Sequence, residues 1–190
     1  MTAAAGGWKA AGRARRFTAS RLPFTFHLLL GVPLVILFVC SGNTCRSPLA
    51  EALLRQALAA RGASGQVRVA SAGTGAWDGA PASEGAYLVG LEHDLDLSAH
   101  RARTLSRDLV AGSDLILTMS RHHADRVGEL GGADRVHLLR EFVGRAGAGA
   151  DVTDPFGGEL DDYRTTFAEL SELIDGVVAK VAAERLGDQR

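Results

Sequence analysis

The chain has 190 residues, enough for one well-cored domain. Its 21 Lys and Arg against 22 Asp and Glu leave a net charge of −1, which excludes a basic nucleic-acid-binding domain. Two cysteines in all, Cys40 and Cys45, share one short stretch, which is not the spacing of a secreted disulfide scaffold. The near-neutral total hides an asymmetry: residues 1–50 contain no Asp or Glu, and the rest of the chain carries a net charge of −7.

Residues 1–31 read as a basic, Ala/Gly/Arg-rich extension outside the domain, which is expected over 32–187. Leu22 to Cys40 is 19 residues without a formal charge, the length of a membrane helix, and Arg15-Arg16 ahead of it suggests an export signal. Both readings are set aside because Pro23, Gly31 and Pro33 interrupt the run and its second half is needed as a strand. That strand, Val35-Ile-Leu-Phe-Val-Cys40, is the apolar run of a buried parallel sheet. Pro48 then opens a helix through Ala60, since Pro suits a first helical turn.

Between strand and helix lies Cys40-Ser-Gly-Asn-Thr-Cys-Arg46-Ser47. A loop of this length can turn the N–H groups of Ser41, Gly42, Asn43, Thr44, Cys45 and Arg46 inward as an anion-binding nest. The helix dipole adds positive potential at the same point, and the planar Arg46 guanidinium can take two phosphate oxygens. Such a field is expected to lower the Cys40 pKa from about 8.5 toward about 3.5–7.5, leaving a thiolate nucleophile on the floor of a phosphate cradle.

A bare C-x5-R occurs often by chance, but Val-Cys-Ser-Gly-Asn-Thr-Cys-Arg-Ser-Pro-Leu-Ala-Glu is far more specific. It resembles the signature of the low-molecular-weight protein tyrosine phosphatase family, which includes bacterial protein arginine phosphatases. The resemblance runs from about Pro33 to the C-terminus. It implies a single doubly wound α/β domain: a four-stranded parallel sheet, helices on both faces, and a phosphate-binding loop after the first strand. Also implied are a phosphorylated protein or peptide as partner and no metal or other cofactor; two cysteines used together in one reactive loop fit a reducing cytoplasm, and no membrane is expected.

Farther along, Arg61-Gly-Ala-Ser-Gly stops the helix and Val67-Arg-Val-Ala-Ser71 alternates as a second strand. Trp77, in the Gly-rich loop that follows, is either a core plug or an aromatic wall for substrate; the resemblance favours the wall. A helix is expected over Ala82 to His93. His100 reads either as an exposed residue near a helix start capped by Ser98 or, by the resemblance, as a partner of Asn43. In the family reading Ser71 and His100 hold Asn43 and Ser47, keeping Asn43 in the left-handed conformation that Asn tolerates.

Asp114–Met119 and Arg135–Leu139 are the third and fourth strands, with a helix from Ser120. His122 and His123 are adjacent, and on a helix should point apart. Glu159 to about Arg185 is a long helix whose apolar stripe should close one face of the sheet.

Before that helix stands Asp154-Pro155-Phe156-Gly157-Gly158. By residue type alone Asp-Pro is a turn signal, and Asp151 is a rival carboxylate. The resemblance makes Asp154 the general acid, with Pro155 holding it out of helical geometry. Cys40, Arg46 and Asp154 are then the catalytic set, Ser47 supports the sulfur, and Thr44, Trp77 and Phe156 flank the substrate. Cys45 is either a trap for oxidised Cys40 or a buried filler. Phosphotyrosine is the first substrate reading. Thr44 at the lip, with Phe156-Gly157 after Asp-Pro in place of a Tyr-Tyr pair, keeps phosphoarginine as the alternative.

Overall fold

The computed structural model describes residues 32–145 and 149–187; the extension expected over residues 1–31 lies outside them. Four strands, β1 (Leu34–Cys40), β2 (Val67–Gly73), β3 (Leu115–Thr118) and β4 (Val136–Leu138), form one parallel sheet in the order β2-β1-β3-β4. The helices are α1 (Arg46–Ala60), α2 (Glu84–Glu92), α3 (Arg107–Ala111), α4 (Arg121–Val127), α5 (Leu139–Phe142) and α6 (Leu160–Gly187).

Alternation along β1 decides the layering. Ile36, Phe38 and Cys40 belong to one core with residues of α1, α2 and α6, while Leu37 and Val39 join the second core with Val110 and Val127. Helices therefore cover both faces. With β2 on one side of β1 and β3 on the other, the chain reverses its winding at the C-terminal end of β1, where open α/β sheets bind ligands.

Several boundaries differ from the sequence reading. Helix α1 begins at Arg46, which puts Pro48 at its third position, still within the turn whose N–H groups have no helical partner. Because Pro48 has no N–H, the Thr44 carbonyl is left to accept from Ser83 N (2.9 Å), tying the loop to the start of α2. Ser83 caps α2, its hydroxyl accepting from Ala86 N. No helix follows Ser98; its N–H donates to Asp96 Oδ1 in a turn. The short α3 is unannounced by periodicity and rests on a cap from Ser106. In α6, Tyr163, Phe167, Leu170, Leu173, Ile174, Val177 and Val178 are all buried, the stripe expected to close the sheet.

Candidate active site

Cys40 ends β1, buried at 2% exposure beneath the loop 41–45. Its Sγ lies 3.0 Å from Ser47 Oγ and accepts from Asn43 N at 3.3 Å. Asn43 takes φ 53°, the left-handed conformation the sequence suggested. Every polar group of its side chain is used: Nδ2 donates to Ser47 Oγ (2.9 Å) and Ser71 Oγ (2.8 Å), and Oδ1 accepts from Arg103 N (3.0 Å). His100 Nε2 donates to the Asn43 carbonyl at 2.7 Å. Ser71 in turn donates to Glu51 Oε2 (2.5 Å), which is paired with Arg55. A fully satisfied buried network of this kind rigidifies the loop at its midpoint.

Two contacts here were not read from sequence. Gly73 ends β2 directly against the loop: a Cβ there would lie 2.5 Å from the Ser41 carbonyl oxygen and 2.9 Å from Asn43 N. A glycine closing a strand pattern is the available signal for such close backbone approach. The second is His123, at 0% exposure, whose Nε2 sits 2.9 Å from Ser41 Oγ. The rings of His122 and His123 do not point apart; their centroids are 3.9 Å from each other because both fold back on Ser120.

Arg46 is 4% exposed and its guanidinium reaches across the cleft. One end donates to the Val152 carbonyl (3.2 Å) and the other to Asp154 Oδ2 (2.5 Å), while Nε is buried with no protein partner. Asp154 is positioned by its own segment: Val152 N donates to Met119 O beside the end of β3, and Phe156 N closes a turn on Asp154 Oδ1. Asp151 is otherwise engaged, accepting from Arg121 N at the start of α4. The structure thus separates the two carboxylates that sequence left as rivals.

A cavity of about 190 Å³ lies between the loop and Asp154, with Thr44 and Phe156 on its walls. Phe156 is 76% exposed. Trp77 is 84% exposed, which rules out a core plug, and it lies outside this cavity's lining. Cys45 is buried against Ser83 Oγ (3.2 Å) and Tyr163 Oη (3.7 Å). A larger cavity of about 550 Å³ lies behind the loop against Ser71, His100 and Arg103, and neither cysteine lines it.

The acidity of Cys40 differs from the sequence expectation. Burial pushes its thiol up, and the Ser47 hydrogen bond, the Arg46 charge and the Asn43 amide pull it down without prevailing. The physical reason is burial: at 2% exposure a thiolate would lose its hydration, and that cost exceeds what Ser47, Arg46 and Asn43 return. His123 is held neutral, its pKa lowered to about 3 by burial first, then by His122 and Arg46.

A cysteine at the end of a central parallel strand, under a short loop and beside a buried arginine at a helix start, places the chain among open α/β proteins with a thiol at the sheet's C-terminal edge. The pattern of the family "low molecular weight phosphotyrosine protein phosphatase" matches residues 35–186, and the chain belongs to that family. It is 41% identical over 148 residues to low molecular weight protein-tyrosine phosphatase A of Mycobacterium tuberculosis, covering 76% of this chain and 90% of that one. It is 38% identical over 156 residues to a protein-arginine-phosphatase of Geobacillus stearothermophilus, covering 81% of this chain and all of the other. Among solved structures, the low molecular weight protein tyrosine phosphatase of T. tengcongensis superposes with a TM-score of 0.72 at 40% identity, covering 77% and 99%. The YwlE arginine phosphatase of G. stearothermophilus does so with a TM-score of 0.74 at 36% identity, covering 82% and 97%.

Proposed function

We propose that the chain is a cysteine-dependent protein phosphatase that hydrolyses phosphotyrosine through a phosphocysteine intermediate. The observation that carries this is the placing of Cys40 Sγ under the loop with Arg46 and Asp154 on the opposite wall. Substrate phosphate takes the loop amides and the Arg46 guanidinium, releasing Asp154 toward the leaving atom. The Cys40 thiolate attacks phosphorus, the bond to the leaving oxygen breaks, and Asp154 protonates that oxygen. Water then attacks the phosphocysteine, giving a proton to Asp154, while Ser47 stabilises the departing sulfur.

The proton count closes within the site. The attack needs the Cys40 proton moved to Asp154, so the thiol's own proton is the one the leaving oxygen receives. Arg46, in moving from the carboxylate to the phosphate, frees Asp154 to take that proton.

A second reading, protein arginine phosphatase, is favoured by Thr44 and Phe156 as the side chains beside the nucleophile's cavity. Thr44 offers a small lip with a hydroxyl, which suits a guanidinium better than a phenyl ring. The bond broken is then P–N, and Asp154 protonates nitrogen. Phe156 stacks on either group. Trp77, standing outside the cavity, is proposed as a contact for the substrate chain beyond the phosphorylated residue.

The deciding experiment compares phosphate release from one phosphotyrosine and one phosphoarginine peptide, with Cys40→Ser as blank. A phosphotyrosine preference supports the first reading. A phosphoarginine preference that Thr44→Ile reverses establishes the second. Among the described residues no helix is long and apolar enough to cross a membrane. We propose a reducing, cytoplasmic setting because the proposed chemistry needs Cys40 as a free thiol.

A further inference from the structure

The buried histidine behind the loop has no place in the mechanism above, yet its surroundings are fully specified. His123 lies in the first turn of α4 with Nδ1 2.6 Å from Ser120 Oγ and Nε2 2.9 Å from Ser41 Oγ. Both ring nitrogens are therefore occupied. A neutral imidazole has one N–H and one acceptor, and a serine hydroxyl at each nitrogen can serve either tautomer. The ring remains neutral at ordinary pH, its pKa held at about 3.

Ser41 is the residue immediately after the nucleophile, and it is fixed at three points. Its carbonyl accepts from Gly75 N (3.0 Å), its backbone lies against Gly73, and its hydroxyl meets His123. The carbonyl bond and the side-chain bond together set the plane of the Ser41–Gly42 peptide, and Gly42 lines the cavity beside Cys40. Asn43 pins the middle of the loop from the β2 side; nothing but His123 holds the Ser41 side chain among the described contacts. A cation at this position would add charge to the cradle but would cost far more to bury. A neutral ring bonded at both ends holds geometry alone.

We infer that His123 is a positioning residue, a neutral imidazole clamped between Ser120 and Ser41 that aims the first amides of the loop at bound phosphate. The inference deepens the phosphatase reading and rests on it for its kinetic consequence, but not for its effect on phosphate binding.

The test uses the full chain with Ser41→Ala, His123→Phe and the double variant, Phe being chosen to keep the ring volume. Binding of inorganic phosphate is measured by calorimetry in the Cys40→Ser background, and p-nitrophenyl phosphate turnover with Cys40 intact. Each single variant is expected to weaken phosphate binding about 10-fold and to lower kcat about 10- to 100-fold, with a smaller change in KM. The double variant should be no worse than the worse single, because the two changes remove the same Ser41–His123 bond. The imidazole 15N resonances of His123 should be those of a neutral ring between about pH 5 and 8 and should shift in Ser41→Ala.

Either single variant binding phosphate within about twofold of its parent, or losses that multiply in the double variant, would overturn the clamp. If His123→Phe does not fold, Ser41→Ala decides: weakened binding with displaced His123 resonances supports the clamp, and unmoved resonances refute it. A parent protein that binds phosphate but turns over no substrate would instead refute the phosphatase reading, leaving the binding measurement to judge His123.

Discussion

Asp154 Oδ2 lies 2.5 Å from Arg46 Nη2, so the carboxylate proposed as the acid and the guanidinium proposed to bind phosphate neutralise each other. The arginine is 5% exposed and the aspartate 45%, so the pair sits at the boundary between interior and solvent. An incoming phosphate dianion competes with the carboxylate for the same guanidinium. In the proposed mechanism this contact keeps a buried cation paired and is exchanged for the substrate's anion, which frees the carboxylate.

Removing that competitor separates binding from chemistry. Asp154→Asn is expected to bind inorganic phosphate more tightly, measured as its inhibition constant, while kcat falls about 100-fold or more for loss of general acid. The same variant should shift the pH midpoint of Cys40 alkylation by iodoacetamide downward. The sign follows from the cleft: Arg46 already pulls the thiol down, and an unpaired Arg46 pulls harder.

Ser47→Ala should move that midpoint the other way. The Ser47 hydrogen bond is the largest influence holding the Cys40 thiol down against burial, so its loss raises the pKa further. Breakdown of phosphocysteine should also slow about 10-fold as the departing sulfur loses its partner. Rapid-quench trapping of the phosphorylated protein reads this as greater accumulation of the intermediate.

At Gly73 the prediction concerns shape. A methyl group there meets the Ser41 carbonyl oxygen and Asn43 N, both backbone atoms of the catalytic loop. Gly73→Ala is expected to cost about 1–3 kcal/mol of stability as overpacking and to lower kcat with it. Denaturant melts and turnover on one preparation check both, and a fully active, fully stable variant would show that the loop can yield.

His123 makes stability depend on pH in a stated direction. Its folded pKa, about 3, lies below the 6.5 of an ordinary imidazole. Between those values the unfolded chain binds one more proton, so this contribution is complete above about pH 6.5 and is lost as pH falls toward 3. The slope is about 1.4 kcal/mol per pH unit for one proton. Urea melts of the parent and of His123→Phe across that window should differ by this slope, the variant being the flatter.

The local features were legible without the fold. An apolar β-branched run, a tight polar loop and a proline opening a helix place Cys40, Asn43 and Arg46 within nine residues, where short-range geometry governs. Asp154 was legible only by its resemblance, since Asp-Pro by itself means a turn. The stripe of α6 was legible because a long helix repeats its signal.

Tertiary structure alone decided the rest. That His123 would reach Ser41, that Asp151 would serve α4 instead of the cleft, and that Gly73 would touch the loop depend on the sheet order β2-β1-β3-β4. These partners come from elements tens of residues apart, and no periodicity encodes which strand lies beside which. The direction of the Cys40 shift was decided there too. Sequence shows which charges stand near a thiol, but its burial is a property of the packed cleft, and here burial outweighs Ser47, Arg46 and Asn43.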